Sequence, residues 1–171
     1  MDEFVQAVLN FTRGSPEQRI LAEKYLISKE KSPQFYPVAV QILQYVPEQQ
    51  NLLVDKNFLY FYAIKVIETV TRDQATFSHE ARTDTVNFLL SWAEKQPPGI
   101  AMKKAVQVAV VLAISNEMFF PAFYPQTVLS LASHNSISAK ISSLLFINEL
   151  NLNLFDKGPN SNLLDLSEKV V

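Results

Sequence analysis

Few side chains in this sequence have the types and spacing that a catalytic or metal site requires. The two histidines, His79 and His134, stand without a second histidine or a cysteine at ligand spacing. His79 falls in the first turn of a predicted helix. His134 falls at the end of another, where an imidazolium interacts favourably with the helix dipole. Both histidines are therefore predicted to be structural, and no metal site is expected.

Three carboxylates, those of Glu80, Asp84 and Glu94, share one predicted helix, and paired carboxylates often perform acid–base catalysis. They lie on its polar side, and a solvated face does not separate two pKa values as a partly dry cleft does. With 3 glycines, the chain has neither a phosphate-binding glycine loop nor a G-x-S-x-G elbow. We predict that the protein is not an enzyme, with no catalytic residue and no cofactor.

The composition is typical of a globular, all-α protein. Apolar residues make up 48% of the 171 residues, which is too many for a disordered chain. The scarcity of glycine disfavours β-rich and doubly wound folds, which use glycine in tight turns. A net charge of −2 argues against nonspecific nucleic-acid binding. Because cysteine is absent, disulfides and thiolate metal sites are excluded, and a reducing compartment is expected.

Two further segments bear on localisation. Asp2 and Glu3 occupy the place where a signal peptide carries basic residues, so no signal peptide is expected. The most apolar run, residues 105–114, is too short to span a bilayer and is predicted to be a buried helix.

Start and stop signals divide the chain into helices. Ser15, Pro16 and Gln18 form a capping-box pattern, Ser78 is a second predicted N-cap, and residues 97–99 form a Pro-Pro-Gly stop. The predicted helices start near residues 2, 16, 37, 57, 78, 100, 125, 136 and 162.

Apolar spacing predicts which side of each helix is buried. The helix over 57–72 is apolar nearly all round, as expected of a helix between neighbours. The predicted buried residues of the second helix are Ile20, Leu21, Tyr25 and Leu26. Those of the helix over 78–95 are Val86, Leu89, Leu90 and Ala93.

The stretches PQFYPVAVQIL (33–43) and PAFYPQTVLSL (121–131) share the pattern P-x-F-Y-P-x-x-V-x-x-L. In each, the aromatic pair is predicted to fold onto the core, and the residue before the second proline to stay out of helical geometry. Two kinds of helix also alternate. Broadly apolar helices start near 16, 57, 100 and 137, and more amphipathic ones start near 37, 78, 125 and 162.

Each series advances by about 40 residues, the period of HEAT-type helix pairs. The predicted fold is therefore a right-handed α-solenoid of about four antiparallel helix pairs. No linker is visible, so residues 1–171 are expected to form a single segment, the first part of a longer solenoid.

The segment KKAVQVAVVLAISNEMFFPAFYPQTVLSLA (103–132) resembles the N-terminal region of nuclear exportins, members of the importin-β superfamily. In that family a helix of the type K-x-x-x-x-V-x-x-x-I-x-x-x-E runs into W-P-x-x-W-P-x-F. Phe120 and Tyr124 stand where the family has its two tryptophans. The loose matches to the helix are Lys104, Val108, Leu112 and Glu117.

Three more segments resemble exportin helices in the same order. FLYFYAIKVIETVTR (58–72) is similar to F-x-x-x-x-L-E-x-x-V-K, and SSLLFINELNLNLFD (142–156) is similar to L-x-I-L-x-x-L-x-E-E-V-x-D. The latter lacks the second acid beside Glu149. TDTVNFLLSWAEKQPP (83–98) is most like the matching helix of the tRNA-exportin (exportin-T) branch.

The resemblance implies a nuclear transport receptor that binds GTP-bound Ran through the concave second helices of its first repeats. It also implies an export cargo, with tRNA as the candidate, contact with nucleoporins, shuttling between nucleus and cytoplasm, and no membrane partner. The GTPase-binding residues that it implies are Gln41, Gln44, Tyr45, Glu80, Asp84, Asn87, Ser91 and Glu94.

Other functions remain open. A compact helical adaptor of the VHS or ENTH kind in membrane trafficking would be a closed domain, and a lipid binder of this kind would need a basic pocket. A general helical scaffold would bind peptide segments in its groove. The aromatic residues at 58, 60–62, 119, 120, 123 and 124 could stack on single-stranded nucleic acid, but basic residues do not interleave with them, so core packing is favoured.

Overall fold

The computed structural model describes residues 2–45, 55–72, 77–115, 133 and 136–156, with side chains as far as residue 152. Across these residues the chain is helical and has no strand, so the all-α prediction is confirmed. A 3₁₀ turn at Pro33–Phe35 precedes the third helix. The α-helices are α1 (Asp2–Arg13), α2 (Pro16–Glu30), α3 (Tyr36–Tyr45), α4 (Lys56–Arg72), α5 (His79–Ala93), α6 (Ile100–Ser115) and α7 (Ile137–Asp156).

The chain divides into two compact units, residues 1–77 and 78–171, which we call unit 1 and unit 2. The single segment predicted over 1–171 stays a prediction. The helices predicted to start near residues 125 and 162 lie outside the described residues, as does the second FYP stretch.

In unit 1, α1 and α2 form a hairpin around a two-residue connection. The capping box is present: the Ser15 amide donates to Gln18 Oε1 at 2.8 Å, and the Gln18 amide donates to Ser15 Oγ at 3.3 Å. A Cβ added at Gly14 would lie 2.3 Å from the carbonyl oxygen of Asn10, so only glycine fits this turn. The hairpin is therefore determined by local residue choice before any long-range packing.

Helix α4 supplies the centre of unit 1, as its apolar pattern predicted. It packs against α1, α2 and α3, and side chains on most of its sides are buried. Its buried residues are Leu59, Tyr60, Ala63, Ile64, Val66, Ile67, Val70 and Thr71.

Helix α2 is less buried than its sequence predicted. Of its predicted apolar face only Leu26 is buried, while Ile20 and Leu21 are 54% and 67% exposed. Ala22 and Leu26, one turn apart, form the side that is covered. Ile20 and Leu21 lie on other sides of the helix. The prediction was wrong here because the apolar residues of α2 are spread around its axis and only one side meets its neighbours.

The FYP turn of unit 1 packs as predicted but has a different backbone. The rings of Phe35 and Phe4 lie 5.0 Å apart, and those of Tyr36 and Phe77 also lie 5.0 Å apart. Tyr36 was predicted to avoid helical geometry because it precedes Pro37. It instead has φ −53° and ψ −49°, and its amide donates to the Pro33 carbonyl. The 3₁₀ turn thus leads directly into α3, and its hydrogen bond outweighs the steric preference before proline.

In unit 2, α6 packs against both α5 and α7. It buries residues on all sides, from Ala101 to Ile114, as predicted for this apolar run. Gln107 Nε2 donates to Glu149 Oε1 at 2.9 Å and so joins α6 to α7. Within the parts of the chain that the structure describes, no helix is both long and apolar enough to cross a membrane.

Candidate functional site

The outer side of α5 carries a row of polar side chains at intervals of three and four residues. Glu80, Asp84, Asn87 and Ser91 are all exposed, and we call these four the α5 polar face. Glu94, predicted to belong to the same row, follows the last residue of the helix and is half-buried. The structure therefore brings four of the five predicted residues of this helix into one solvent-facing row.

The opposite side of α5 holds this row in place. All four residues predicted to face inward are buried, at 4% exposure or less. The helix begins at a cap in which Ser78 Oγ accepts a hydrogen bond from the Ala81 amide at 3.2 Å. These inward-facing residues are Val86, Leu89, Leu90 and Ala93. Because the helix is capped and packed along its length, the α5 polar face is presented on a rigid element.

The charge of the α5 polar face is negative. Glu80 and Asp84 lie one turn apart on the exposed side. The arginine of the same helix, Arg82, is 4% exposed and so lies inside unit 2 rather than on this face. Such a surface attracts a basic patch on a partner and raises the rate and specificity of association.

In unit 1, α3 exposes the three residues that the sequence predicted. Gln41, Gln44 and Tyr45 are exposed, Tyr45 at 62%. Ala39, Ile42 and Leu43 anchor the opposite side of the helix at 1% exposure or less. An exposed tyrosine near two exposed amide side chains offers both an apolar surface and hydrogen-bonding groups to a partner.

The described residues do not assemble a metal site: no three histidine, aspartate or glutamate side chains among them come close enough to share an ion. The resolved pKa shifts belong to tyrosines. Burial raises the pKa of the Tyr60 hydroxyl. Burial also raises the pKa of Tyr62, helped by the carboxylates of Glu30 and Glu23. These groups stay protonated at neutral pH, so they supply no acid–base pair there.

The aromatic cluster at the start of α4 contributes to packing. Tyr60 is buried, and the rings of Tyr62 and Phe11 lie 5.6 Å apart in an edge-on arrangement. Lys65 Nζ lies 5.8 Å from the centre of the Tyr62 ring and 2.8 Å from Glu30 Oε1. The cation against the Tyr62 ring is therefore paired with a carboxylate.

The structure contains a groove that sequence reasoning missed. It lies between α1 and α2 in unit 1, has a volume of about 550 Å³ and presents mainly apolar surface. Leu21 and Tyr25, which line it, had been assigned to the core. One feature of the sequence could have indicated this groove. The apolar residues of α2 do not lie on a single side of the helix, so they cannot all face its neighbours. The lining residues are Asp2, Glu3, Gln6, Ala7, Asn10, Gln18, Leu21, Ala22 and Tyr25.

Comparisons of this chain with protein-family models, curated proteins and solved structures found no match.

Proposed function

We propose that this protein is part of an exportin-like nuclear transport receptor and that it binds a Ran-type GTPase in its GTP-bound form. The observation that carries the proposal is the α5 polar face, four exposed side chains in a row on a helix whose other side is buried. The residues of α3 at 41, 44 and 45 repeat this arrangement in unit 1. The assignment to a GTPase rests on the resemblance of the sequence to exportins.

The proposal includes a right-handed solenoid of HEAT-type helix pairs. Helix packing within each unit supports it. In unit 1, α2 packs on α4 although α3 lies between them in the chain, and in unit 2, α6 packs on α7. α2, α4, α6 and α7 are the helices that start near 16, 57, 100 and 137, the series that the sequence spaces by about 40 residues. Contacts between members of one series are those expected when first helices of successive repeats stack side by side.

Such a receptor works by thermodynamic linkage between the binding of the GTPase and the binding of cargo. GTPase and cargo each bind one curvature of the helical array more tightly than another, so each ligand strengthens binding of the other. The α5 polar face would contribute mainly to the rate and specificity of GTPase association through its negative charge. Cargo, with tRNA as the candidate, and nucleoporins would bind outside the α5 polar face.

A comparison of binding to the GTP-like and GDP-bound forms of the GTPase tests this proposal. Ran loaded with a non-hydrolysable GTP analogue is immobilised, and binding of the full chain is compared with binding to Ran loaded with GDP. We expect a clear preference for the GTP-like form. Equal binding to both forms at high protein concentration contradicts the proposal, because a transport receptor must discriminate between them.

A further inference from the structure

We propose that the groove between α1 and α2 binds a basic, amphipathic peptide segment of a partner protein. The groove lies in unit 1, and none of its lining residues belongs to the α5 polar face or to the exposed residues of α3. The proposal therefore stands independently of the GTPase.

The floor of the groove is made by small side chains. Ala7 and Ala22 both line it and are 6% and 5% exposed. Two alanines in this position leave open a volume of about 550 Å³, which is in the usual range of binding sites. The groove is thus a consequence of residue choice on the two facing helices.

One wall of the groove carries apolar surface that the described residues leave open to solvent. Leu21 is 67% exposed, and the Tyr25 ring stands one turn further along α2. An amphipathic peptide that inserts an apolar side chain beside Leu21 removes both surfaces from water, which is how helices bind in grooves.

The charged residues that line the groove favour a partner with positive charge. Asp2 and Glu3 line the groove and no lysine or arginine does, while its other polar groups are the amides of Gln6, Asn10 and Gln18 and the hydroxyl of Tyr25. Carboxylates beside an apolar groove complement lysine or arginine next to an apolar anchor. The same charge disfavours nucleic acid and anionic lipid surfaces.

The basic residue Lys29 lies beside one lining residue of the groove. Lys29 Nζ stands 4.9 Å from the centre of the Tyr25 ring, while the Tyr25 hydroxyl donates to Glu3 Oε2 at 3.4 Å. Among the residues that line the groove, the charged side chains are the carboxylates of Asp2 and Glu3. The Lys29 contact also shows that this ring accepts a cation over its face.

Binding of designed peptides to the full chain tests the proposal. The probe is a fluorescein-labelled peptide with leucines at helical spacing flanked by lysines, and its matched control carries glutamate at every lysine position. We expect the lysine peptide to raise the fluorescence anisotropy, with a dissociation constant that increases with salt because exposed charges are screened. Equal binding of the glutamate peptide, or no binding of the lysine peptide near about 1 mM protein, overturns the proposal.

Paired variants locate the site. Leu21→Lys should weaken binding of the lysine peptide about tenfold or more by removing the apolar wall and adding a like charge. Ile20→Lys changes a neighbouring exposed residue that does not line the groove and should leave the dissociation constant unchanged. Glu3→Gln should weaken binding and reduce its salt dependence, while Glu23→Gln on the same unit should do neither. Equal losses within either pair would place the peptide elsewhere.

Discussion

The rings of Phe4, in the first turns of α1, and Phe35, in the 3₁₀ turn before α3, lie 5.0 Å apart with their planes tilted by 38°. This contact joins the first helix of unit 1 to the turn that precedes its third. Phe4 is 1% exposed, so the contact belongs to the core of the unit. The aromatic pair of the FYP turn thus serves packing, as the sequence predicted for it.

Replacing Phe35 by alanine should destabilise unit 1 by about 2 kcal/mol, because it removes apolar burial and the ring contact with Phe4. Urea unfolding measures the loss. Phe58→Ala is the matched control, since that ring is 37% exposed and should cost less. Equal losses in the two variants would show that the contact with Phe4 adds nothing.

The capping box of α2 gives a second prediction. Ser15→Ala removes the acceptor of the Gln18 amide and should cost about 1 kcal/mol. Hydrogen exchange of the Gln18 amide should accelerate at the same time. Ser28→Ala, whose hydroxyl donates to the Tyr25 carbonyl inside the helix, leaves the cap intact and should change stability little. An unaltered exchange rate at Gln18 in the Ser15 variant would contradict the assigned cap.

The bond between Gln107 and Glu149 gives a third prediction. It is partly buried and connects α6 to α7 over 42 positions of sequence. A double-mutant cycle with alanine at both positions should give a coupling free energy of about 1 kcal/mol. The exposed bond from Gln6 to Asn10 within α1 is the control, and its coupling should be close to zero. A coupling near zero at Gln107 and Glu149 would mean that α7 is held to α6 by apolar packing alone.

Alkaline pH gives a fourth prediction. Burial raises the pKa of the Tyr60 hydroxyl above its ordinary value of about 10, so the unfolded chain loses this proton first. The stability that the protonated Tyr60 hydroxyl contributes is fully present below about pH 10. It is lost as pH rises through the pKa of this group in the folded state. Unfolding free energy measured across this range should therefore fall less steeply in Tyr60→Phe. Tyr45→Phe, at an exposed ring, should keep the steep fall, and identical curves for both variants would argue against a buried phenol.

The fold was largely predictable where local signals decide it. Ser15 with Gln18 and Ser78 mark helix starts through hydrogen bonds made within one turn, and the structure contains those bonds. The exposed row on α5 was also predictable. When polar and apolar residues alternate at helical spacing, the apolar side packs inward and the polar side faces solvent.

Features that depend on neighbouring helices were harder to predict. The exposure of Leu21 depends on which sides of α2 contact α1 and α4. The sequence of α2 alone does not determine those contacts. The groove is lined by Ala7 of α1 and Ala22 of α2, so it depends on how these two helices pack. Tyr36 likewise takes helical geometry because a 3₁₀ turn precedes it, against its local preference.

Charge reversal on α5 tests the central claim that the α5 polar face binds a GTPase. Asp84→Lys changes an exposed side chain in the middle of this face, so folding should be preserved, while Glu23→Lys makes the same change on α2. The dissociation constant for Ran in its GTP-like form is measured by titration for both variants and for the unaltered chain. We expect Asp84→Lys to weaken binding about tenfold and Glu23→Lys to leave it unchanged. Unchanged affinity in Asp84→Lys, or the same loss in both variants, would contradict the account.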